Sequence, residues 1–199
     1  MFYKADQEDI PAGLINSCDV PRSIFWISSM SESGVVNASP WSFSGAIAYK
    51  PPQVFFSATG LRRGDKEADT VVNIRNTDEF VVNFPTYDSR ELMNATASQV
   101  DPEVDEMELA GIEKVESMLV KPPGIDISPI RLECRLYQMV PLLGDNNTLV
   151  IGEVLGFHVQ DHLMKDGKVD WLAYRPLARM GGPSGYTFVD KVFEMRRPD

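Results

Sequence analysis

Apolar residues recur along the chain in short runs separated by turn signals, which is the pattern of strands and not of long helices. Residues 22–30 contain Ile24-Phe25-Trp26-Ile27 and predict a buried strand, followed by a hairpin loop at residues 31–34 and a new strand opening at Val35-Val36. Residues 42–49 fit either a strand or a helical turn. Further strands are predicted at residues 53–58, 79–84, 131–140, 148–160 and 186–188.

Helical signals are few and short. Asp69 is the predicted N-cap of a helix reaching Asn76, and Asp88 with Glu91 has the spacing of a capping box for a second helix through residue 97. Residues 98–125 form an acidic excursion with one short helix near residues 106–111, and residues 1–20 form an N-terminal arm. Without βαβ alternation a doubly wound fold is excluded, so residues 1–199 predict a single antiparallel β-barrel domain with peripheral helices.

The two longest predicted strands carry informative alternation. Residues 131–140 place Leu132, Cys134, Leu136 and Val140 on one face and Arg131, Glu133, Arg135 and Tyr137 on the other. In residues 148–160, Gly152, Gly156 and His158 are predicted to share a face with Val150 and Val154. Glycine inside a strand often marks close approach of a ligand or another backbone, so His158 would flank that opening. A histidine in the core or at a dimer interface fits the same pattern equally well.

Composition and charge narrow the class of protein. The chain carries 19 Lys and Arg against 29 Asp and Glu, a net charge of −10, which argues against a nucleic-acid partner. Cys18 and Cys134 are isolated thiols that suit a reducing compartment. The N-terminus has early acids and no apolar signal-peptide core, and no stretch approaches the roughly 18 apolar residues of a membrane span. We therefore expect a cytoplasmic protein without a membrane partner.

A basic loop precedes the first predicted helix. Arg62, Arg63 and Lys66 put three cations just before Asp69-Thr70. A helix N-terminus offers free N–H groups and a positive dipole, which together with cations and a hydroxyl suit a phosphate monoester. The alternative is a solvated loop balanced by its own acids, Asp65, Glu67 and Asp69.

Two further segments are compatible with a cofactor site. The small residues of the predicted turn Asn37-Ala38-Ser39-Pro40 would let a flat ring approach the backbone, although an ordinary proline turn fits as well. The Gly-rich loop after Arg179 could border a cofactor or simply lead tightly into the last strand. His158 and His162 lie four residues apart on a predicted strand, about 13 Å, too far to share one ion, so no metal site is expected.

Taken in order, these motifs resemble the flavin reductase-like family over nearly the whole chain. Family motifs are matched by the segments Val20–Ser28, Val36–Ser44, Pro51-Pro52, Asp69-Thr70, Asn73-Ile74, Glu79–Asn83, Met93–Thr96, Leu132–Cys134, Ile151–Val154, Arg175-Pro176, Ala178-Arg179 and Arg196–Pro198. The resemblance implies a mainly β fold with peripheral helices, an antiparallel split β-barrel of the FMN-binding type. It also implies a homodimer with FMN near the subunit interface.

Carried over by position, the resemblance implies where FMN would bind. The implied contacts to the flavin ring are Asn37, Ala38, Ser39, Pro40, Trp41 and Ser42. The implied contacts along the ribityl chain or phosphate are Ser57, Ala58 and Thr59. The implied contacts at the phosphate end are Asp69 and Thr70, and Arg179 with the loop after it would close over the site. One departure affects the phosphate: Ala68 stands where the family has lysine, and Lys66 or Arg63 would substitute for it.

The function implied by the resemblance is that of a flavoprotein oxidoreductase passing hydride from NADH or NADPH to flavin, with His158 contacting nicotinamide or protonating flavin. A flavin-dependent monooxygenase is a possible partner. One alternative is an FMN-binding electron carrier or flavin store without nicotinamide turnover. Another is a structural homologue whose barrel binds a different cofactor such as heme, which the two histidines of the chain support poorly.

Overall fold

The computed structural model describes residues 1–6, 10–62 and 64–198 of the chain, so the predicted phosphate contact Arg63 lies outside the described residues. The helices in these ranges are α1 Leu14–Cys18, α2 Asp69–Thr77, α3 Arg90–Ala95, α4 Glu106–Leu109 and α5 Trp171–Tyr174, with a 3-10 turn at Asp161–Leu163. The strands there are β1 Arg22–Ser23, β2 Phe25–Met30, β3 Val36–Trp41, β4 Ser44–Tyr49, β5 Pro52–Ala58, β6 Glu79–Asn83, β7 Lys114–Val115, β8 Gly124–Ile125, β9 Ile130–Pro141, β10 Thr148–Val159, β11 Met164–Lys165, β12 Lys168–Val169, β13 Leu177–Arg179 and β14 Tyr186–Phe188.

Seven of the strands in the described ranges form one antiparallel sheet in the order β3-β2-β6-β9-β10-β5-β4. The sheet curls on itself, because Trp41 of β3 packs against Phe56 of β5 with ring centroids 5.2 Å apart although these strands lie near opposite ends of the sheet. The apolar core lies inside this curl, and Phe25, Ile27, Phe80 and Val150 are among its most deeply buried members. The mainly β antiparallel fold is therefore confirmed.

Residues 37–40 form part of an edge strand, so the prediction of a turn there is wrong. Asn37 to Pro40 run inside β3, paired with β2. Proline is compatible with this place because an edge strand needs no N–H on its outer side. The ambiguous segment 42–49 also resolves as strand, β4. The residues predicted to contact a flavin ring therefore lie along one extended edge of the sheet.

The two predicted helix caps are wrong. The N-cap of α2 is Ala68 and not Asp69, and no side chain caps this helix. The N-cap of α3 is Ser89, and its hydroxyl accepts a hydrogen bond from the N–H of Thr86 at 2.9 Å instead of capping the helix. Glu91 pairs with Arg90 at 3.4 Å in place of the predicted capping box. The uncapped start of α2 leaves its positive end available to a ligand.

The acidic excursion 98–125 is ordered against the sheet by polar anchors. It contains the predicted short helix, α4, and the two-stranded pair β7–β8. Its backbone N–H groups are accepted by side chains of the barrel: Leu119 by Glu133 at 2.5 Å, Lys121 by Glu79 at 2.9 Å and Ile125 by Asn83 at 2.8 Å. No helix in the described residues is both long and apolar enough to cross a membrane.

A bulge in β10 changes the face predicted for Gly156 and His158. A register shift lies between Val154 and Gly156. A bulge inserts an extra residue, so the side chains beyond it alternate out of phase with those before it. Val154 points into the core, whereas His158 contacts Glu133 beneath the excursion. The prediction that Gly156 and His158 share the face of Val150 and Val154 is therefore wrong, while Gly152 does lie against the core.

Candidate functional site

A cleft of about 540 Å³ lies between the barrel and the excursion, within the size range of small-molecule sites. One wall is formed by β3 and by the loop that leads into α2. The other is formed by residues 98–102 and by α4. Its polar and charged lining includes Asn37, Ser39, Arg62, Lys66, Glu67, Asp69, Thr70, Asp101 and Glu106.

Arg62 and Lys66 place two cations beside the uncapped start of α2. The backbone N–H of Arg62 donates to the carbonyl of Lys66 at 2.7 Å, which closes the loop between them. The Arg62 guanidinium reaches Ser39 Oγ at 3.4 Å and lies 5.3 Å from the centroid of the Trp41 ring. Thr70 contributes a hydroxyl from the first turn of α2. This corner of the cleft therefore suits an anion with several oxygen acceptors.

Asn37 joins β3, α2 and α4 through its side chain. Its Oδ1 accepts from Thr70 Oγ1 at 2.7 Å and from Ser29 Oγ at 3.3 Å, and its Nδ2 donates to Glu106 Oε2 at 2.5 Å. The residue is only 8% exposed. Asn37 therefore fixes the Thr70 hydroxyl and the Glu106 carboxyl relative to one another.

Glu106 reaches the outer edge of β3 from α4. Its Oε2 also accepts from the backbone N–H of Ala38 at 2.6 Å, the N–H that points away from β2. Burial raises the pKa of Glu106 to about 7, because the hydrogen bond from Ala38 and the charge of Arg62 offset the desolvation only in part, and Asp69 and Asp105 raise it further. The cleft thus contains a carboxyl that changes charge near neutral pH.

Asp69 is the second acid at this corner. Burial raises the pKa of its carboxyl, while the positive charges of Arg62 and Lys66 oppose that rise. Glu67 also lines the cleft, but it forms a salt bridge with Arg75 at 2.6 Å that lowers its pKa. Arg62 therefore acts on both Asp69 and Glu106, and Lys66 acts on Asp69, so a bound anion would compete with these acids for the two cations.

One buried donor next to Arg62 has no partner in the described residues, although its residue does not line the cleft. The indole Nε1 of Trp41 is buried and makes no hydrogen bond there. Its ring packs against Phe56 on one side and Arg62 on the other. An unpaired buried N–H is costly to maintain.

Other predicted contacts lie outside the cleft or are already engaged. Ser42 lines a separate hollow of about 350 Å³ with Arg22 and Phe55. Ala58 is in the core, and Ser57 donates its N–H to Phe43 at 2.8 Å. Pro40 is half-buried in β3, and Thr59 is exposed just beyond β5. The cleft therefore gathers Asn37, Ser39, Arg62, Lys66, Asp69 and Thr70 of the predicted set.

Arg179 holds the Gly-rich loop that follows it. Its guanidinium donates to the carbonyls of Gly185 at 2.8 Å and Pro183 at 2.7 Å and stacks 4.5 Å from the centroid of the Tyr186 ring. In the described residues, Arg179 therefore stabilises the loop that follows it in the chain. Any role in closing over a cofactor stays a prediction.

His158 lies in a different region from the cleft. Its Nε2 is 2.5 Å from Oε1 of Glu133, whose carboxylate also accepts from the N–H groups of Met118 and Leu119. Burial would raise the pKa of Glu133, but these hydrogen bonds outweigh it and hold the pKa below its ordinary value. The hollow beside His158 is lined by Arg131 and Phe157. A catalytic role for His158 stays a prediction, since His158 does not line the cleft.

Two buried acids were missed by sequence reasoning. Glu106 is 7% exposed and Glu133 is 1% exposed, whereas the sequence pattern puts Glu106 in an acidic excursion and Glu133 on the polar face of its strand. Neither carries a local signal: Glu106 lies in an acidic run, and Glu133 alternates with apolar residues as a solvent-facing residue would. Each is buried because it accepts backbone N–H groups from a distant segment.

Comparisons with known proteins agree with this architecture. The model of the flavin reductase like domain matches residues 17–177. A protein of Aquifex aeolicus is 36% identical over 164 residues, covering 82% of each chain. Nitrilotriacetate monooxygenase component B from Bacillus cereus has a TM-score of 0.89 and 28% identity over 98% of this chain and 99% of its own. The 2-nitrobenzoate 2-nitroreductase of Pseudomonas fluorescens has a TM-score of 0.82 and 26% identity over 94% of this chain and 89% of its own.

Proposed function

The chain belongs to the flavin reductase-like family, and on that premise we propose that it binds FMN in the cleft and passes hydride from NADH or NADPH to the flavin. The observation that carries this proposal is the anion-binding corner beside an extended strand edge. A phosphate and a flat ring need these two features next to one another.

The phosphate end of FMN would be held by Arg62, Lys66 and Thr70. The two cations supply charge-assisted hydrogen bonds, the Thr70 hydroxyl adds a further contact, and the uncapped α2 adds its positive dipole. The Thr70 hydroxyl has one proton, which it donates to Asn37 Oδ1 in this structure, so it would turn that proton from Asn37 to a phosphate oxygen when FMN binds. Lys66 would then take the part of the family lysine that is replaced by Ala68.

The ring of FMN would lie along the edge of β3 from Asn37 to Trp41. Glu106 already occupies the Ala38 N–H and Pro40 has none, so this edge presents few free backbone donors. When bound, the flavin supplies the hydride-accepting N5 atom, and the protein supplies orientation and exclusion of water.

The quaternary arrangement and partner belong to the same proposal. We propose a homodimer with the ring near the subunit interface, as the family resemblance implies. The exposed apolar side chains Tyr137, Leu143 and Phe157 of β9, the connecting turn and β10 are surfaces that a second copy could cover. The similarity to nitrilotriacetate monooxygenase component B supports a flavin-dependent monooxygenase as the consumer of the reduced flavin.

Anaerobic reduction of the FMN-loaded protein tests the proposed reaction. After mixing with NADH or NADPH, the flavin absorbance near 450 nm should bleach in a saturable way with at least one of the two donors. The hydride donor stacks on the flavin and needs alignment more than a side-chain acid, so no external catalyst is required.

The control for this experiment is dithionite, which reduces bound flavin without needing a nicotinamide site. Bleaching by dithionite but by neither NADH nor NADPH would contradict the reductase and favour the electron carrier or flavin store. Absence of bound flavin after incubation with excess FMN would contradict both.

A further inference from the structure

Glu106 is a buried acid inside the proposed flavin site to which the proposed reaction gives no task. It is the only described acid that contacts β3 by hydrogen bonds, through Asn37 and the Ala38 N–H. A single carboxamide, that of Asn37, separates it from the Thr70 hydroxyl assigned to the phosphate. Any task for Glu106 here rests on the proposed function, because it concerns the affinity of the same site for FMN.

The charged groups around Glu106 come from the loop before α2, from α2 and from its own segment. Arg62 and Lys66 approach from the loop before α2, and Asp69 approaches from α2 itself. Asp105 precedes Glu106 in its own segment, where Lys114 pairs with it at 2.6 Å. Lys114 pairs with Asp105 and Arg75 pairs with Glu67, so the acids left to oppose a phosphate in this cleft are Asp69, Asp101 and Glu106.

We propose that Glu106 is a specificity-determining residue of the cleft, whose ionised carboxylate opposes a bound phosphate monoester and so weakens the binding of FMN. The geometry supports this assignment. The carboxyl shares Asn37 with the Thr70 hydroxyl, lies within electrostatic reach of Arg62 and is shielded from solvent, so its charge is poorly screened. Riboflavin carries no phosphate and would not experience the effect.

The sign of the resulting pH dependence follows from the pKa of Glu106, which burial raises to about 7. Below that pH the carboxyl is neutral, and Arg62 and Lys66 are left to the phosphate. Above it, the carboxylate both repels the phosphate and competes with it for Arg62. The second ionisation of a phosphate monoester falls near pH 6, so between pH 6.5 and 8.5 the change in affinity comes mainly from the protein.

The test measures the dissociation constants of FMN and of riboflavin at pH 6.5 and 8.5 for the wild-type protein, Glu106→Gln and Glu108→Gln. Glutamine keeps an oxygen that can accept from Ala38 but removes the charge. Glu108 belongs to the same helix, is exposed and pairs with Lys114, so it is the matched control. The FMN constant should rise about fivefold with pH in the wild type and in Glu108→Gln, and stay level in Glu106→Gln. The riboflavin constant should change little in all three proteins.

The outcomes distinguish the role of Glu106 from the proposed binding of FMN. An equal pH dependence in the wild type and Glu106→Gln, or an equal dependence for FMN and riboflavin, would overturn the role of Glu106 while leaving FMN binding intact. Failure of FMN to bind at either pH would overturn the proposed function as well. If Glu106→Gln does not fold, Asp69→Asn takes its place, because Asp69 is the other acid beside the two cations. The pH dependence of FMN binding should persist in Asp69→Asn, and its loss there would assign the effect to Asp69 and overturn the role of Glu106.

Discussion

Replacing Arg62 and Lys66 together by alanine should weaken FMN binding by about 100-fold while leaving riboflavin binding within about threefold of the wild type. Both cations line the corner beside the start of α2, and each would donate to a phosphate oxygen. A hydrogen bond to a charged group contributes about 1.5–3 kcal/mol, so losing two of them accounts for at least two orders of magnitude. Riboflavin lacks the phosphate, so its binding would be affected only through the lost packing of Arg62 against the Trp41 ring.

The control variant removes one lysine and one arginine that do not line the cleft. Lys191 and Arg196 are exposed in the C-terminal segment, and their double alanine variant should bind both ligands as the wild type does. Fluorescence titration of flavin against each protein measures the constants. Equal losses of FMN and riboflavin affinity in the Arg62/Lys66 variant would contradict the phosphate assignment.

The substitution Gly152→Ala should destabilise the fold by about 2–3 kcal/mol. A Cβ at position 152 would collide with the ring of Phe80, which is fully buried, and would lie 3.4 Å from the carbonyl oxygen of Arg135. A core ring cannot move aside without displacing its neighbours, because the interior is close-packed. The free energy of unfolding from urea denaturation measures the effect.

Gly156→Ala is the matched control on the same strand. The added Cβ would meet only the Cδ1 atom of Leu119, at 3.2 Å, and Leu119 is 55% exposed and can turn away. We expect the free energy of unfolding to change by less than about 1 kcal/mol. Equal destabilisation by both substitutions would contradict the account of the bulge that separates the environments of Gly152 and Gly156.

Much of the sheet is predictable from the sequence because runs and alternation of apolar residues within a short segment show which strand residues are buried. The run 25–30, the β-branched strand 79–83 and the alternation of Leu132 and Cys134 each point to the core as expected. The bulge in β10 is not predictable in this way. It depends on how β9 and β10 pair across the sheet, and it reverses the faces of Gly156 and His158 without leaving a mark in the local sequence.

The candidate site likewise contains residues that local sequence predicts and residues that only long-range contacts bring in. Arg62, Lys66 and Thr70 were predicted because cations before a helix start form a local motif, and the structure brings them together in one cleft. Glu106 was missed because its role arises from a contact with Ala38, 68 residues away in the chain. Of the segment 37–40, Asn37 and Ser39 line the cleft. The segment is a strand and not the predicted turn, because small residues and a proline are compatible with both a turn and an edge strand.

A crystal structure of the protein with FMN tests the central claim most directly. The account predicts phosphate oxygens at hydrogen-bond distance, about 2.7–3.2 Å, from Thr70 Oγ1 and from the side chains of Arg62 and Lys66, with the flavin ring against β3. A phosphate bound instead in the hollow beside Ser42 or next to His158, with the cleft between β3 and α4 left free of flavin, would contradict it.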